Sequence, residues 1–534
     1  MAVLNKQSNL LDPTRRGRRG TNFRKVGLFD HMGFGNLGDA AIQDAFIANI
    51  RRRLPGVKLF AFSLHPADTR RRHGIPSYPI RWSFPEGHDS SETRAADFKL
   101  DGASRLKSFF QRRRGLYSVA KPVHDFFQEA RHLSRCYRLV KSLDVLIMSG
   151  GGQLCELYGN LPYNVFKFCA LARLSNTPVF MVGVGADLLK RPINKFFARW
   201  AVRLANYVSF RSDESQALVR SLGVRTATHV CPDPAYALEP EKYLEAENRG
   251  SLASKEARAL FLKMGLNVHK DLSRDWGKAL SDTSSRPTGP RETPGRRVGI
   301  NPIGYCDPRR WPKPDDAAYS QYIDKLDHFT SWLLAHNYTV EFFSSDLAGD
   351  IFAMEDLKNK LRARHASPQP LRVAFRPLPT LPELLRQMST FDYVVTSRYH
   401  GVIFSHLLGK PVIALSYLPK ITDLMRKIGH EEYALEVGDF DTEALVHTFQ
   451  SLVHNGPGLR MLFQRTSAAY AEALRVEFDR VLLSLDCDPT APRPTRNGRV
   501  ATAPEVASEG GRRARRAPRQ AGELSSAGAL APRE

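Results

Sequence analysis

The chain has 534 residues and a formal net charge of +23. That length exceeds one ordinary domain and supports two sizeable cores, and a composition that is 42% hydrophobic and 10% aromatic belongs to a globular protein, not to a wholly disordered one. No apolar run approaches the roughly 18 residues that a membrane-spanning helix needs, and the polar, basic start lacks the apolar core of a signal peptide, so the expected location is the cytoplasm, with peripheral association at the inner face of the cell membrane allowed.

Residues 1–22, with Arg15, Arg16, Arg18 and Arg19, read as a disordered basic segment. An amino-terminal Rossmann-like domain is expected over residues 23–239. It opens with a strand, Lys25 to Phe29, a glycine-rich turn from Gly33 to Asp39, a helix from Ala40 to Leu54 with Asp39 as its N-cap, and a strand from Val57 to Phe62. Residues 83–114 are polar and read as an insertion. A helix from Val123 to Lys141 then precedes a strand from Val145 to Met148, which runs into Ser149-Gly150-Gly151-Gly152. A helix from Asn164 to Leu174 and strands at Val179–Gly183, Tyr207–Arg211 and Thr228–Cys231 complete this half.

Residues 240–297 are polar, rich in Ser, Pro and Gly near their end, and read as a linker or insertion. Alternation resumes in a second Rossmann-like domain over 298–487. Its strands are expected at Val298–Ile300, Thr339–Phe343, Leu371–Phe375, Tyr393–Val395 and Val412–Leu415, with helices between them and a mostly helical stretch from Val446 to Leu485. Residues 488–534 read as a disordered basic tail. Strand and helix alternating throughout imply an α/β fold with parallel sheets, here two halves facing across a cleft. Basic tails can meet anionic membranes or nucleic acid. No aromatic interleaving or nucleic-acid module accompanies them, so nucleic acid is not an expected partner. The six cysteines are scattered without CxxC spacing, so they read as reduced thiols and no metal site is expected.

The chemistry concentrates at strand ends. Val394-Val395-Thr396-Ser397-Arg398-Tyr399-His400-Gly401 puts an arginine and a histidine after one apolar strand, and Ser416-Tyr417-Leu418-Pro419-Lys420 puts a lysine after the next. In open α/β sheets the carboxyl edge is where ligands bind. Arg211 ends a strand of the first half, where its planar fork suits a carboxylate or phosphate, unless Asp213 or Glu214 occupies it. Asp233, between two prolines, reads as a loop-positioning residue. Three cations and a histidine with near-neutral pKa point to a small anionic ligand and proton transfer. Gly35, Asn36, Gly38 and Asp39, and Gly150, Gly151 and Gly152, form loops where backbone approaches a ligand closely.

Taken in order, Gly35-Asn36-Leu37-Gly38-Asp39, the triple glycine, Phe210-Arg211-Ser212-Asp213-Glu214-Ser215, Ser397-Arg398-Tyr399-His400 and Tyr417-Leu418-Pro419-Lys420 resemble the polysaccharide pyruvyl transferases. The resemblance runs from about Lys25 to Tyr433. Ser212 stands where the family often has an acidic residue. The resemblance implies two GT-B-like halves, phosphoenolpyruvate as co-substrate with no other cofactor, and a saccharide or lipid-linked saccharide acceptor carrying a pair of hydroxyls. It implies His400 as catalytic acid/base, Arg211 and Lys420 on the donor with Arg398 assisting, and the two glycine loops on the acceptor side. The competing reading is a GT-B glycosyltransferase using a nucleotide-sugar, and a non-catalytic binding protein is a second. The sequence sets neither the acceptor sugar nor the oligomeric state.

Overall fold

Two parallel sheets organise the protein in the computed structural model. The structure describes residues 25–30, 35–82, 114–156 (side chains from 127), 161–245, 296–309, 311, 313–365, 372–376, 378 and 380–483. The basic terminal segments, the insertion up to 113, Gly33 and residues 246–295 lie outside them.

The first half runs β1 (Lys25–Phe29), α1 (Leu37–Arg53), β2 (Lys58–Ser63), α2 (Pro66–His73), β3 (Ser77–Pro79), α3 (Arg114–Lys141), β4 (Val145–Ser149), β5 (Leu154–Cys155), α4 (Leu161–Leu174), β6 (Val179–Val184), β7 (Ala186–Asp187), α5 (Pro192–Leu204), β8 (Tyr207–Phe210), α6 (Asp213–Ser221), β9 (His229–Val230), a 3-10 turn (Pro234–Ala237) and α7 (Pro240–Glu245). The second runs β10 (Arg297–Asn301), α8 (Asp316–Ala335), β11 (Thr339–Phe342), α9 (Leu347–Arg364), β12 (Val373–Phe375), α10 (Leu381–Ser389), β13 (Tyr393–Thr396), α11 (Tyr399–Leu407), β14 (Val412–Ser416), α12 (Pro419–Lys427), a 3-10 turn (Glu431–Tyr433), β15 (Ala434–Glu436) and α13 (Thr442–Leu483).

The sheets follow one plan. The first is ordered β3-β2-β1-β4-β6-β8-β9 and the second β12-β11-β10-β13-β14-β15, with every neighbouring pair parallel. Their central strands are buried end to end, as in β4 and β6, because helices cover both faces of a parallel sheet. Strand order reverses between β1 and β4, and again between β10 and β13. Those reversals open crevices at the carboxyl ends, which is where doubly wound sheets hold ligands.

The halves are stitched together. Leu37 N donates to Ser345 O at 2.8 Å across the two glycine-side loops. Helix α13 returns to the first half, where Phe478 packs on Phe46 and Arg53 pairs with Asp479 at 2.7 Å. Val26 and Leu28 of one sheet and Val298 and Ile300 of the other belong to a single apolar cluster, so the halves share a floor beneath the cleft. Among the described residues no helix is long and apolar enough to cross a membrane.

One sequence expectation is corrected here. Asn36, not Asp39, caps α1: its Oδ1 accepts from Gly38 N and Asp39 N at 3.0 and 3.2 Å. Gly35, at φ +81°, turns the chain just before it, so Asn36 is the last extended residue and Asp39 falls inside the first turn.

Candidate active site

Arg211 leaves the end of β8 with a side chain only 6% exposed. Its guanidinium does not turn to Asp213 or Glu214. Those two start α6 and pair instead with Lys427 of the other half, at 3.0 and 3.2 Å. Arg211 NH1 donates to Asp233 Oδ2 at 3.0 Å. Burial works against its charge, but Tyr399 and Asp233 outweigh it and raise its pKa. Asp233 is 1% exposed, and its other oxygen accepts from Ala235 N to cap the 3-10 turn. Sequence reading saw the loop role of Asp233 and missed the ion pair, which links residues 22 apart.

Lys420 sits in the first turn of α12, 28% exposed, with Nζ 3.9 Å from Asp187 Oδ2. Burial and the nearby Arg211 lower its pKa. Arg211 Cζ lies 4.7 Å and Lys420 Nζ 5.9 Å from the centre of the Tyr399 ring. The two cations, one from each half, thus meet over one aromatic ring. Together with Tyr399, Asp187, Asp233 and Lys427 they line a cavity of about 500 Å³ between the halves.

His400 lies in the first turn of α11 and is not part of that lining. It is reached across Asp233, whose Oδ1 is 4.0 Å from His400 Nε2. The imidazole rests against the first turn of α1: a Cβ on Gly38 would stand 1.9 Å from His400 Nδ1. Only glycine fits there. Burial lowers the His400 pKa to about 4, against the pull of Asp233 and with the help of Arg211, Lys420 and Arg398. The ring is therefore neutral at neutral pH.

Arg398 is engaged elsewhere. Its Nε donates to Asp350 Oδ1 at 2.8 Å, and NH1 pairs with Asp346 at 3.0 Å. Asp350 is fully buried and also accepts from Asn301 Nδ2 and Ser344 Oγ. Arg398 thus fastens the β13–α11 turn to the start of α9. The triple-glycine loop has its own anchor. Asp30, 2% exposed, accepts from Gln43 Nε2 at 3.0 Å and Gln153 Nε2 at 2.8 Å. Gly151, at φ +70°, passes close to it, and Gly150, at φ +61°, passes close to Ile42 and Pro234. Asp39 receives Asn36 Nδ2 at 2.9 Å, and burial together with Asp346 pushes its carboxyl up to about 6. Gly152, by contrast, has open space around its α-carbon. The structure thus gathers Arg211 and Lys420 on the cavity, His400 and Gly38 beside it, and Arg398 behind the turn. Tyr399 falls inside the motif Ser397-Arg398-Tyr399-His400 but is given no role from sequence, and nothing local marks Asp30.

The family described as polysaccharide pyruvyl transferase matches residues 36–419. No curated protein matches the chain by sequence. Among solved structures, a putative UDP-N-acetylglucosamine 2-epimerase from Listeria monocytogenes superposes at a TM-score of 0.51 and 7% identity, covering 87% of this chain and 98% of its own. A UDP-GlcNAc 2-epimerase from Neisseria meningitidis gives 0.49 at 11% identity, over 86% and 100%. At such identity the Listeria likeness speaks to fold alone, and it agrees with the GT-B-like pair of sheets. The match over most of the folded chain fixes the family: this chain belongs to the polysaccharide pyruvyl transferases.

Proposed function

We propose that the protein transfers pyruvate from phosphoenolpyruvate to a pair of hydroxyls on a saccharide, forming a cyclic ketal during cell-surface glycan or exopolysaccharide synthesis. The observation that carries this reading is the convergence of Arg211 and Lys420, from opposite halves, over Tyr399 in one cavity. A donor with both a carboxylate and a phosphate needs two such cations. A cavity of about 500 Å³ exceeds a three-carbon donor and leaves room for a sugar.

The bound dianion raises the depressed pKa of His400. Protonated His400 delivers its proton to C3 of the donor, and C2 becomes an oxocarbenium centre. The imidazole, neutral again, takes the proton of the first sugar hydroxyl as its oxygen bonds to C2. The C2–O bond to phosphate breaks, the second hydroxyl closes the ring, and its proton leaves with phosphate. Arg211 and Lys420 stabilise the charge that collects on the departing phosphate. Arg398 holds the turn that presents His400. The loops of Gly35 to Asp39 and Gly150 to Gly152 line the acceptor side.

Purified protein is incubated with phosphoenolpyruvate and a panel of bacterial saccharides. Stoichiometric phosphate release with an acceptor mass gain equal to a pyruvyl ketal supports the reading. Turnover of a nucleotide-sugar with no use of phosphoenolpyruvate rejects it.

A further inference from the structure

Helix α5 carries its apolar side chains on two faces. Ala198, Ala201 and Val202 face the core. Ile193, Phe196 and Trp200, spaced i, i+3, i+7, face outward at 54%, 47% and 39% exposure. Phe197 stacks on Phe166 of α4 and Phe196 lies tilted against the same ring, so the row stands on a packed aromatic base. Beside it runs a second row, Lys195, Arg199 and Arg203, spaced i, i+4, i+8. Arg203 lies over the Trp200 ring at 5.4 Å and donates to Gly223 O. Neither α4 nor α5 contains an aspartate or glutamate.

We propose that this face of α5 docks on an anionic lipid bilayer. An exposed apolar row next to a basic row fits the bilayer interface, where apolar chains lie below negatively charged headgroups. Both helices lack acidic residues, and the one carboxylate at the entrance to α5, Glu156, is held in hydrogen bonds, so the basic residues outnumber it on this face. Its position gives the docking a purpose. Leu188 lines the cavity, and α5 begins at Pro192, at most roughly 14 Å further along the chain. Glu156 fixes that spacing: it accepts from Lys190 N, Arg191 N and Asn194 Nδ2 at 2.8, 3.0 and 2.9 Å at the entrance to α5. Docking therefore brings the cavity close to the membrane surface, where a saccharide carried on a lipid presents its sugar. The lipid-borne acceptor rests on the function proposed above, whereas the docking itself does not.

The test is co-sedimentation of the full chain with phosphatidylglycerol vesicles, with phosphatidylcholine vesicles as control. The protein is expected to bind the anionic vesicles and to be released by high salt in part only, since the aromatic row persists. Phe196→Ser combined with Trp200→Ser should lower partitioning at least about tenfold, with an unchanged circular dichroism spectrum and unchanged phosphate release on a soluble acceptor. Partitioning that survives the double substitution overturns the proposal and assigns binding to the basic tails. A double variant that instead converts an oligomer to a smaller species in light scattering also overturns it, because the face is then a contact between copies of this chain.

Discussion

His400 Nε2 stands 4.0 Å from Asp233 Oδ1, beyond hydrogen-bond reach, and has no hydrogen-bond partner among the described residues. A buried imidazole nitrogen without a partner costs free energy. It keeps that atom available for a reacting proton. Asp233 raises the His400 pKa while burial and three cations lower it. Asp233→Asn removes that upward pull. In the proposed mechanism His400 must carry a proton, so it sets the alkaline limb of kcat/KM in the free enzyme, and that limb should move to lower pH by about one unit. An unmoved limb in a pH–rate profile separates His400 from the titrating group. The same substitution strips Arg211 of its buried partner, and breaking such a pair typically costs about 3–5 kcal/mol, so thermal unfolding is measured alongside.

Two glycines can test the proposed roles of His400 and Arg211 separately. A Cβ on Gly38 would stand 1.9 Å from His400 Nδ1, and one on Gly185 would stand 2.6 Å from Arg211 Nε. Gly38→Ala should displace the imidazole and lower kcat at least about a hundredfold, the scale of general acid–base catalysis, with donor KM little changed. Gly185→Ala should displace the guanidinium and raise the KM for phosphoenolpyruvate about tenfold or more, with a smaller effect on kcat. Steady-state kinetics with donor varied at saturating acceptor distinguishes the two. Equal effects of both substitutions on both parameters contradict the division of roles.

Much of this site is legible in sequence, because parallel strands announce themselves. Runs such as Val145 to Met148 and Val412 to Leu415 are apolar throughout, and a residue such as Lys420 that follows the second falls at the carboxyl edge of the sheet. Partnerships are the part that sequence hides. Arg211 has acidic neighbours two and three positions on, yet the start of α6 carries them to Lys427, and a residue 22 positions away takes the arginine. Arg398 finds Asp350 across 48 positions. Helices α2, α5, α7 and α12 also escape a pattern search. In α12 only Ile421, Leu424 and Met425 are buried, so the segment reads as polar. In α5 the large apolar residues Ile193, Phe196 and Trp200 face outward and mostly small ones face the core, so its apolar face does not mark a buried one.

Stability should fall in acid, and the sign follows from the buried histidines. His406 is fully buried, its Nδ1 2.7 Å from the Tyr236 hydroxyl, and burial with His430 nearby lowers its pKa to about 3. The unfolded chain takes up a proton near pH 6.5 while the folded protein does not. The stability this group contributes is therefore complete above pH 6.5 and declines as pH falls toward 3. His400 acts in the same direction between 6.5 and about 4. Asp39 acts in the opposite direction between its ordinary 3.8 and about 6, because the folded state holds that proton more tightly. His406→Gln should flatten the loss of melting temperature between pH 6.5 and 4 relative to the parent. Parallel melting curves for the two proteins across that range exclude His406 as a contributor.

Tyr399 lies beneath both cations proposed to bind the donor. Arg211 and Lys420 repel one another, and the proximity of Arg211 helps to lower the Lys420 pKa. The ring beneath both, at 4.7 and 5.9 Å, offers each cation its negative face. Tyr399→Phe keeps that face and removes only the hydroxyl, so donor KM should stay within about twofold. Tyr399→Leu keeps bulk and removes the quadrupole, which is worth about 0.5–2 kcal/mol per cation, so donor KM should rise about tenfold. The leucine variant should also leave Lys420 less able to hold its proton. Its donor affinity should then decline at a lower pH than in the parent, as Lys420 deprotonates earlier on the alkaline side. A purely steric role for the ring gives both variants the same KM and the same alkaline limb, so donor affinity measured across that limb separates packing from electrostatics.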